Sequence, residues 1–234
     1  MIEKRPFASL GAFDNDWLAA RYHFSFSGYR DPARVNWGAL RGWNDDTIQP
    51  RTGFPPHPHQ DMEIITYVRT GAITHEDSMG NRGRTEAGDV QVMSAGGGVT
   101  HAEFNLEGEP TTLYQIWIMP KSHGGKPYWG AAKFPKGERT GALVALASGF
   151  PADQEAGALP IRQDARVLAA TLETGQSATY PLAANRYAYL AVAKGEAVVN
   201  GVTLGPRDGA AIKEEKEIRI EAKSTAEIVL VDAP

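Results

Sequence analysis

Short runs of apolar, β-branched and aromatic residues recur along the chain and are separated by turn-forming residues. Such runs are typical of β-strands, and their close spacing is typical of a sandwich or barrel. Helical periodicity is weak: residues 154–166 could form a turn or two, but Gly157 and Pro160 interrupt them. The pattern therefore predicts an all-β protein with very little helix. Its strongest predicted strands are residues 63–68, 90–93, 113–119, 187–192, 218–220 and 228–231.

One arrangement of strands and turns occurs twice. A strand runs into a glycine, a hairpin turn follows, and a turn containing aspartate precedes the next strand. These turns contain Gly71, Gly80-Asn81 and Gly88-Asp89 in the first half, and Gly195, Asn200-Gly201 and Asp208 in the second. The arrangement suggests an internal duplication of one β unit, although antiparallel proteins in general contain turns at such intervals.

Between the two copies, residues 120–142 are rich in glycine and proline and predict a long irregular connection. We expect Tyr128, Trp129 and Phe134 to anchor this connection to the body of the protein. The predicted domain boundary lies near residue 140, with residues 1–140 forming the first domain and its connection and residues 141–234 forming the second.

Composition excludes several classes of protein. The 234 residues include no cysteine, so disulfide scaffolds, zinc ribbons and thiol catalysis are excluded. With 24 basic and 28 acidic residues, the net charge of −4 argues against a surface that binds nucleic acid directly. The sequence has neither a signal peptide nor an apolar run long enough to span a membrane. We therefore expect a soluble cytoplasmic globular protein.

Two pairs of residues with identical spacing are the main candidates for chemistry. His57 and His59 are two residues apart, as are His101 and Glu103. Because side chains alternate between the two faces of a strand, both members of each pair point the same way. Two such pairs on neighbouring strands would form a cage of three histidines and one carboxylate for a divalent metal. This donor set suits iron, manganese, nickel, copper, cobalt and zinc.

Glu63 is a further candidate, because counting by twos from His57 along an unbroken strand places it toward the same interior. It could be a metal ligand in place of Glu103, a hydrogen-bond acceptor for a ligand histidine, or a general base. An exposed position at the start of the strand is the alternative.

The other candidates are weaker. His75, in the hairpin arm 73–77, is expected to be solvated, and His23 and His123 are expected to be structural. Gln115 and Trp117 share a face of one strand and either line the cavity or pack in the core.

The strings that contain these residues resemble the pirin family of the cupin superfamily, in particular its bacterial members similar to quercetin 2,3-dioxygenase. The resemblance is strongest from about residue 20 to 120. It rests on four segments. Residues 24–32 contain an N-terminal signature, and residues 57–67 contain the first ligand pair. Residues 77–83 contain an Asp-Ser-x-Gly-Asn hairpin, and residues 88–105 contain a Gly-Asp turn and the second ligand pair.

This resemblance implies a bicupin, two stacked antiparallel β-barrels of jelly-roll type, with one metal in the N-terminal barrel. It implies that His57, His59, His101 and Glu103 bind that metal, iron(II) foremost, and that Glu63 supports them. The C-terminal barrel is expected to be degenerate, because its corresponding positions are apolar and no histidine follows residue 123.

The family also implies two functions. One is a metal-dependent dioxygenase that opens a flavonol-like aromatic with dioxygen, in which Glu63 or Glu103 removes the hydroxyl proton. The other is a non-enzymatic metal-binding regulator that acts through a protein partner. A metal-free structural bicupin is a third, more distant interpretation.

Overall fold

The computed structural model describes residues 1–134 and 136–234, and β-strands are the dominant regular structure of these residues, as predicted. The strands of the first half are β1 (Ile2–Arg5), β2 (Gly11–Asp14), β3 (Leu18–Tyr22), β4 (Leu40–Ile48), β5 (Thr52–His59), β6 (Glu63–Thr70), β7 (Ala72–Asp77), β8 (Arg82–Glu86), β9 (Val90–Ser94), β10 (Val99–Asn105), β11 (Thr111–Ile118) and β12 (Tyr128–Ala132).

The second half repeats this all-strand construction. Its strands are β13 (Val144–Ser148), β14 (Leu159–Pro160), β15 (Arg166–Leu172), β16 (Ser177–Pro181), β17 (Tyr187–Lys194), β18 (Ala197–Val199), β19 (Val202–Leu204), β20 (Gly209–Lys213), β21 (Glu217–Ala222) and β22 (Ala226–Ala233). The helical segments of the described residues are α1 (Pro151–Glu155) and 3-10 turns at Phe7–Ser9, Pro32–Arg34 and Lys136–Arg139.

Each half consists of a seven-stranded and a four-stranded sheet, arranged in jelly-roll fashion. The four-stranded sheets have the orders β5-β10-β7-β8 and β16-β21-β18-β19, so every strand of the second is eleven positions later than its counterpart. The large sheets share the core orders β9-β6-β11-β4 and β20-β17-β22-β15. Gly71 connects β6 to β7, and Gly195 makes the equivalent connection from β17 to β18, with φ values of 74° and 78°. The repeated turns of the sequence therefore correspond to a repeated fold.

The two large sheets take one edge strand each from different parts of the chain. In the first half the edge beside β9 is β12, which comes from the connection. In the second half the equivalent edge beside β20 is β1, the first strand of the chain. The N-terminal residues thus belong to the second half by hydrogen bonding. The connection, expected to be irregular, contributes a strand because Tyr128 and Trp129 pair with β9.

The two large sheets pack against each other and share one hydrophobic core, which we call the joint core. It includes Trp43, Tyr67 and Tyr114 of the first half and Tyr189 and Val229 of the second. Residues 63–68 are all buried, because one face of β6 covers the joint core and the other faces the interior of its own half. This burial on both faces explains why residues 64–68 do not alternate strictly between apolar and polar side chains.

The interior of the second half is filled with aliphatic side chains. Ile218, Ile220 and Ala222 of β21 are at most 1% exposed and pack against Leu190 and Leu230. These positions of β21 are equivalent to the region of β10 that contains His101 and Glu103. The single α-helix begins earlier and is shorter than the predicted 154–166 segment, because Gly157 ends it at a φ of 105°. No helix in the described part of the chain is long and apolar enough to cross a membrane.

His23 lies between the two halves, and its burial makes stability depend on pH. Its side chain is fully buried and its Nδ1 is 2.7 Å from the Tyr189 hydroxyl. Burial, and then the charge of Arg5, lower the pKa of His23 from 6.5 to about 3. Because the unfolded chain binds this proton first, the free energy of unfolding falls as pH falls below 6.5.

We expect this group to contribute about 2 kcal/mol to the difference in unfolding free energy between pH 8 and pH 5. In His23→Asn, which has no titrating group, that difference should be smaller by this amount in urea titrations at the two pH values. An equal pH dependence in both proteins would show that the pKa of His23 does not differ between the folded and unfolded states.

Candidate metal centre

Three histidines from two neighbouring strands converge in the first half. β5 pairs with β10, and His57 lies directly opposite His101. The ring centroids of His57, His59 and His101 are 4.5 to 4.9 Å apart, and one ring nitrogen of each lies within 4.8 Å of the others. The i, i+2 spacing thus does bring these side chains to one point. His101 is 2% exposed, whereas His57 and His59 are half-buried and form the more exposed side of the cluster, which we call its mouth.

A bulge in β5 sets the position of this cluster relative to Glu103. His101 pairs with His57, but Glu103 pairs with Phe54, so β5 contains one extra residue in this interval. Pro55 and Pro56 lie in the interval and have no backbone N–H to contribute to a ladder, which is why a bulge accommodates them. The bulge also aims the carbonyl oxygen of Pro55 at His57 Nδ1, 2.8 Å away.

The chemistry of these contacts fits a bound cation. A carbonyl oxygen only accepts, so His57 Nδ1 carries the proton and His57 Nε2 has a free lone pair. That atom is 3.1 Å from His101 Nε2. Burial and the neighbouring histidines lower the pKa of His101 to about 2 and of His59 to about 4. Neutral imidazoles whose lone pairs converge are the donors that a divalent transition metal requires.

Glu103 borders the cluster from the interior side. Its carboxylate is 2% exposed and accepts hydrogen bonds from Gln91 Nε2 (2.6 Å) and Gln115 Nε2 (2.8 Å). Burial raises the pKa of Glu103 to about 7, although these hydrogen bonds oppose the shift. A carboxylate oxygen of Glu103 and one ring nitrogen each of His101 and His75 lie within 4.8 Å of one another, whereas Glu103 does not form such a group with His57 and His59. The predicted four-residue cage is therefore two overlapping triads that share His101.

Gln115 and Trp117 line the cavity, one of the two positions predicted for them. Trp117 Nε1 donates to Gln115 Oε1 over 2.9 Å, which leaves the amide nitrogen to donate to Glu103. An indole N–H is only a donor, so the orientation of the glutamine amide follows from this contact. Trp117 also packs edge-on against His59, with ring centroids 5.0 Å apart.

The cavity at the cluster has a volume of about 180 Å³. It is lined by Leu18, Tyr22, Phe26, Asn44, Asp46, Phe54, His57, His59, Glu103, Gln115 and Trp117. Phe26 and Trp117 also line an outer groove of about 700 Å³, and their rings meet edge to face at 5.0 Å. The Phe26–Trp117 pair therefore separates an inner cavity beside the histidines from a larger groove open to solvent.

Asn44 and Asp46 line this cavity, and sequence reasoning missed both. They share a face of β4, and Asn44 lies opposite Gln115. The Oδ1 atom of each is buried without a hydrogen-bond partner among the described residues. Burial, then Asp45 and Glu103, raise the pKa of Asp46 well above its ordinary value. The available signal was the polar run Asn44-Asp45-Asp46, which lies between the apolar residues Trp43 and Ile48.

Glu63 does not follow the strand of the histidines. Residues 60–62 break the strand, with Asp61 at a φ of 50°, so β5 and β6 belong to different sheets. Its buried carboxylate accepts from Ser94 Oγ (2.7 Å) and from the backbone N–H of Arg162 (3.1 Å). The counting argument failed because it assumed an unbroken strand, and the observed contacts of Glu63 connect the two halves.

The expectation that His75 is solvated was wrong. Its side chain is fully buried, because β7 lies between β10 and β8 in the small sheet. Its Nδ1 is 3.3 Å from His101 Nδ1, and its Nε2 is 2.9 Å from Asp77. His123, by contrast, is 87% exposed and lies beside Asp61.

Comparison with known proteins agrees with this architecture. A family model described as pirin matches residues 4–118, and one described as the quercetinase C-terminal cupin domain matches residues 146–233. A pirin-like protein of Caulobacter vibrioides is 63% identical over 233 residues, which cover 100% of both chains. The quercetin 2,3-dioxygenase of Escherichia coli K12 is 39% identical, with 100% of this chain and 99% of that protein covered.

Among solved structures, bacterial pirin YhhW from Escherichia coli in complex with nickel(II) superimposes with a TM-score of 0.93. It is 38% identical in sequence, and the match covers 100% of this chain and 99% of that one. Matches of this extent, together with two repeated jelly-roll halves and a histidine cluster in the first, show that the chain belongs to the pirin family of bicupins.

Proposed function

We propose that the protein is a metal-dependent dioxygenase of quercetinase type, which opens a flavonol-like aromatic with dioxygen. The observation that carries this proposal is the convergence of neutral histidines and Glu103 on a cavity walled by aromatic side chains. The 39% identical relative named quercetin 2,3-dioxygenase supports it.

In this proposal His57, His59, His101 and Glu103 hold one divalent ion. Iron(II) is our first choice, and nickel, manganese, copper, cobalt and zinc suit the same nitrogen and oxygen donors. The nickel(II) complex of a 38% identical pirin supports a metal at this position. When bound, the ion would act as a Lewis acid toward the oxygen atoms of the substrate and dioxygen.

Glu103 is the residue that we propose as the base. In the metal-free protein, burial raises the pKa of Glu103 to about 7, which suits uptake of a phenolic proton near neutral pH. Gln91 and Gln115 hold its two oxygens in place, so the carboxylate does not reorient during proton transfer. Asn44 and Asp46 add unpartnered polar atoms for the substrate's hydroxyl groups. Glu63, the other carboxylate that the sequence suggested, has its contacts elsewhere.

The size of the cavity determines how such a substrate would bind. Drug-sized ligands occupy pockets of roughly 300–1,000 Å³, and the inner cavity has about 180 Å³. We propose that the reacting ring enters the inner cavity while the rest of the molecule lies in the outer groove. The Phe26–Trp117 pair, where the two spaces meet, would then contact the substrate directly.

The small inner cavity also supports a second candidate function. A non-enzymatic metal-binding protein that regulates a partner needs no room for a substrate. In that case the protein binds metal but turns over no flavonol. Its affinity for a protein partner then changes with the oxidation state of the bound metal.

Oxygen consumption with quercetin distinguishes the two functions. Protein loaded separately with each of the six metals should consume oxygen with at least one of them and release carbon monoxide. Glu103→Gln should lower this rate by about 100-fold or more. Phe26→Trp, which narrows the entrance, should lower kcat/KM by about tenfold without changing metal content.

His123→Ala is the matched control, since this side chain is 87% exposed, and it should leave uptake unchanged. Stoichiometric metal binding without oxygen consumption for any of the six metals would reject the dioxygenase and support the regulator.

A further inference from the structure

Two fully buried side chains, those of His75 and Asp77 on the neighbouring strand β7, lie next to His101. Asp77 pairs with His101 across β7 and β10, and Glu103 pairs with His75. His75 Nε2 is 2.9 Å from Asp77 Oδ2, and both side chains have no exposed surface. His75 Nδ1 is in turn 3.3 Å from His101 Nδ1. Asp77, His75 and His101 therefore form a continuous chain of polar contacts that ends at the cavity.

The direction of each hydrogen bond in this chain follows from its first member. The Asp77 carboxylate already accepts from the backbone N–H groups of Met79 (2.9 Å) and Asn81 (3.0 Å) and from the Asn81 amide (2.9 Å). These donors favour the ionised carboxylate, which can only accept, so His75 Nε2 is the donor.

The remaining protons follow in order. Complete burial disfavours an imidazolium, so a neutral His75 presents an unprotonated Nδ1. That atom can only accept, and His101 Nδ1 is therefore the donor. His101 Nε2 is left with a free lone pair, directed at His57 Nε2, 3.1 Å away.

We propose that Asp77 and His75 are positioning residues that hold His101 in the tautomer whose Nε2 binds the metal. Metal-ligating histidines commonly donate their second N–H to a carboxylate or carbonyl. His57 uses the Pro55 carbonyl in this way. His101 uses a carboxylate through an intervening imidazole, so its orientation depends on a residue outside the ligand set.

Trp129 holds the intermediate imidazole in place. Its ring stacks on His75 with centroids 4.9 Å apart and planes at 10°. Trp129 belongs to β12, so the connection between the halves supports the metal centre. The stack requires a glycine at position 83, opposite His75 on β8, because a Cβ there would lie 2.2 Å from the Trp129 ring.

The competing role for His75 is that of a direct ligand, because His75, His101 and Glu103 also form a triad within 4.8 Å. The two roles make different predictions for a pair of variants of nearly equal size. Asparagine retains an acceptor close to the position of His75 Nδ1, whereas leucine has none.

The test uses nickel(II) affinity, from chelator competition, together with ¹⁵N spectra of labelled histidines in the metal-free protein. His75→Leu should weaken nickel binding by about 10–100-fold, and His75→Asn should retain most of the affinity. In the metal-free spectra, His101 should carry its proton on Nδ1 in the wild type and in His75→Asn, and shift toward Nε2 in His75→Leu.

Equal losses of affinity in both variants with an unchanged His101 tautomer would identify His75 as a ligand and overturn the proposal. If both variants lose nickel affinity equally, and in proportion to the fall in melting temperature of the metal-free protein, the role of His75 is purely structural, which also overturns the proposal. The inference rests on the metal centre of the proposed function. Because the tautomer is read without metal or substrate, its failure is distinguishable from failure of the dioxygenase assignment.

Discussion

Replacement of His101 by alanine is expected to abolish metal binding. This residue is common to both candidate triads, and its Nε2 lies 3.1 Å from His57 Nε2. Its removal leaves His57 and His59 at the mouth without their interior partner, so we expect affinity to fall by more than about 100-fold. The measurement is the metal content of the purified protein, with chelator competition for affinity.

Thermal stability gives an independent measure of the same loss. A ligand that binds only the folded state at 100 times its Kd stabilises it by about 2.7 kcal/mol. The wild type should gain this stability on addition of metal, and His101→Ala should gain none. The exposed His123→Ala variant should behave as the wild type in both measurements. Undiminished binding and stabilisation in His101→Ala would remove His101 from the ligand set and reject the proposed centre.

Replacement of Trp43 by alanine is expected to destabilise both halves together. Trp43 has no exposed surface and lies in the joint core, with its ring centroid 5.2 Å from Tyr114 and 5.4 Å from Tyr189 of the other half. Truncation of a buried tryptophan costs about 3–5 kcal/mol. We expect one calorimetric transition, shifted downward as a whole, because the same core stabilises both large sheets.

The control for this prediction is Phe13→Ala. Phe13 is an aromatic residue that is 43% exposed on β2, and its loss should change stability by no more than about 0.5 kcal/mol. The prediction would be contradicted by two separate transitions if Trp43→Ala shifted only that of the first half. In that case the halves would fold independently, and the joint core would be an interface between two independently stable domains.

Much of the fold was predictable because its signals are local. Residues 187–192 and 228–231 are continuous apolar runs bounded by turns, and both became central strands of the second large sheet. The repeated Gly71 and Gly195 turns indicated the duplication because both connections need a positive φ, which glycine adopts readily. The edge positions of β1 and β12 were not predictable, because they depend on how the N-terminal segment and the connection between the halves pack against the two large sheets.

The site was predictable only as far as it depends on spacing within one strand. His57 and His59, and His101 and Glu103, each share a face because side chains alternate. Glu63 lay beyond the reach of this rule, since three residues break the strand before it. Asn44 and Asp46 reach the cavity from a different sheet, so no local pattern connected them with the histidines.

Local sequence patterns were sufficient to predict the strands, their turns, the duplication and two pairs of candidate metal ligands with i, i+2 spacing. These properties follow from the alternation of side chains along a strand and from the backbone preferences of turn residues. Which buried polar groups are in contact depends on the tertiary structure. It brought His75 and Asp77 next to His101, set Glu63 between the halves and limited the cavity to about 180 Å³. Such contacts depend on strand pairing and sheet packing between residues far apart in the chain, which no local pattern encodes.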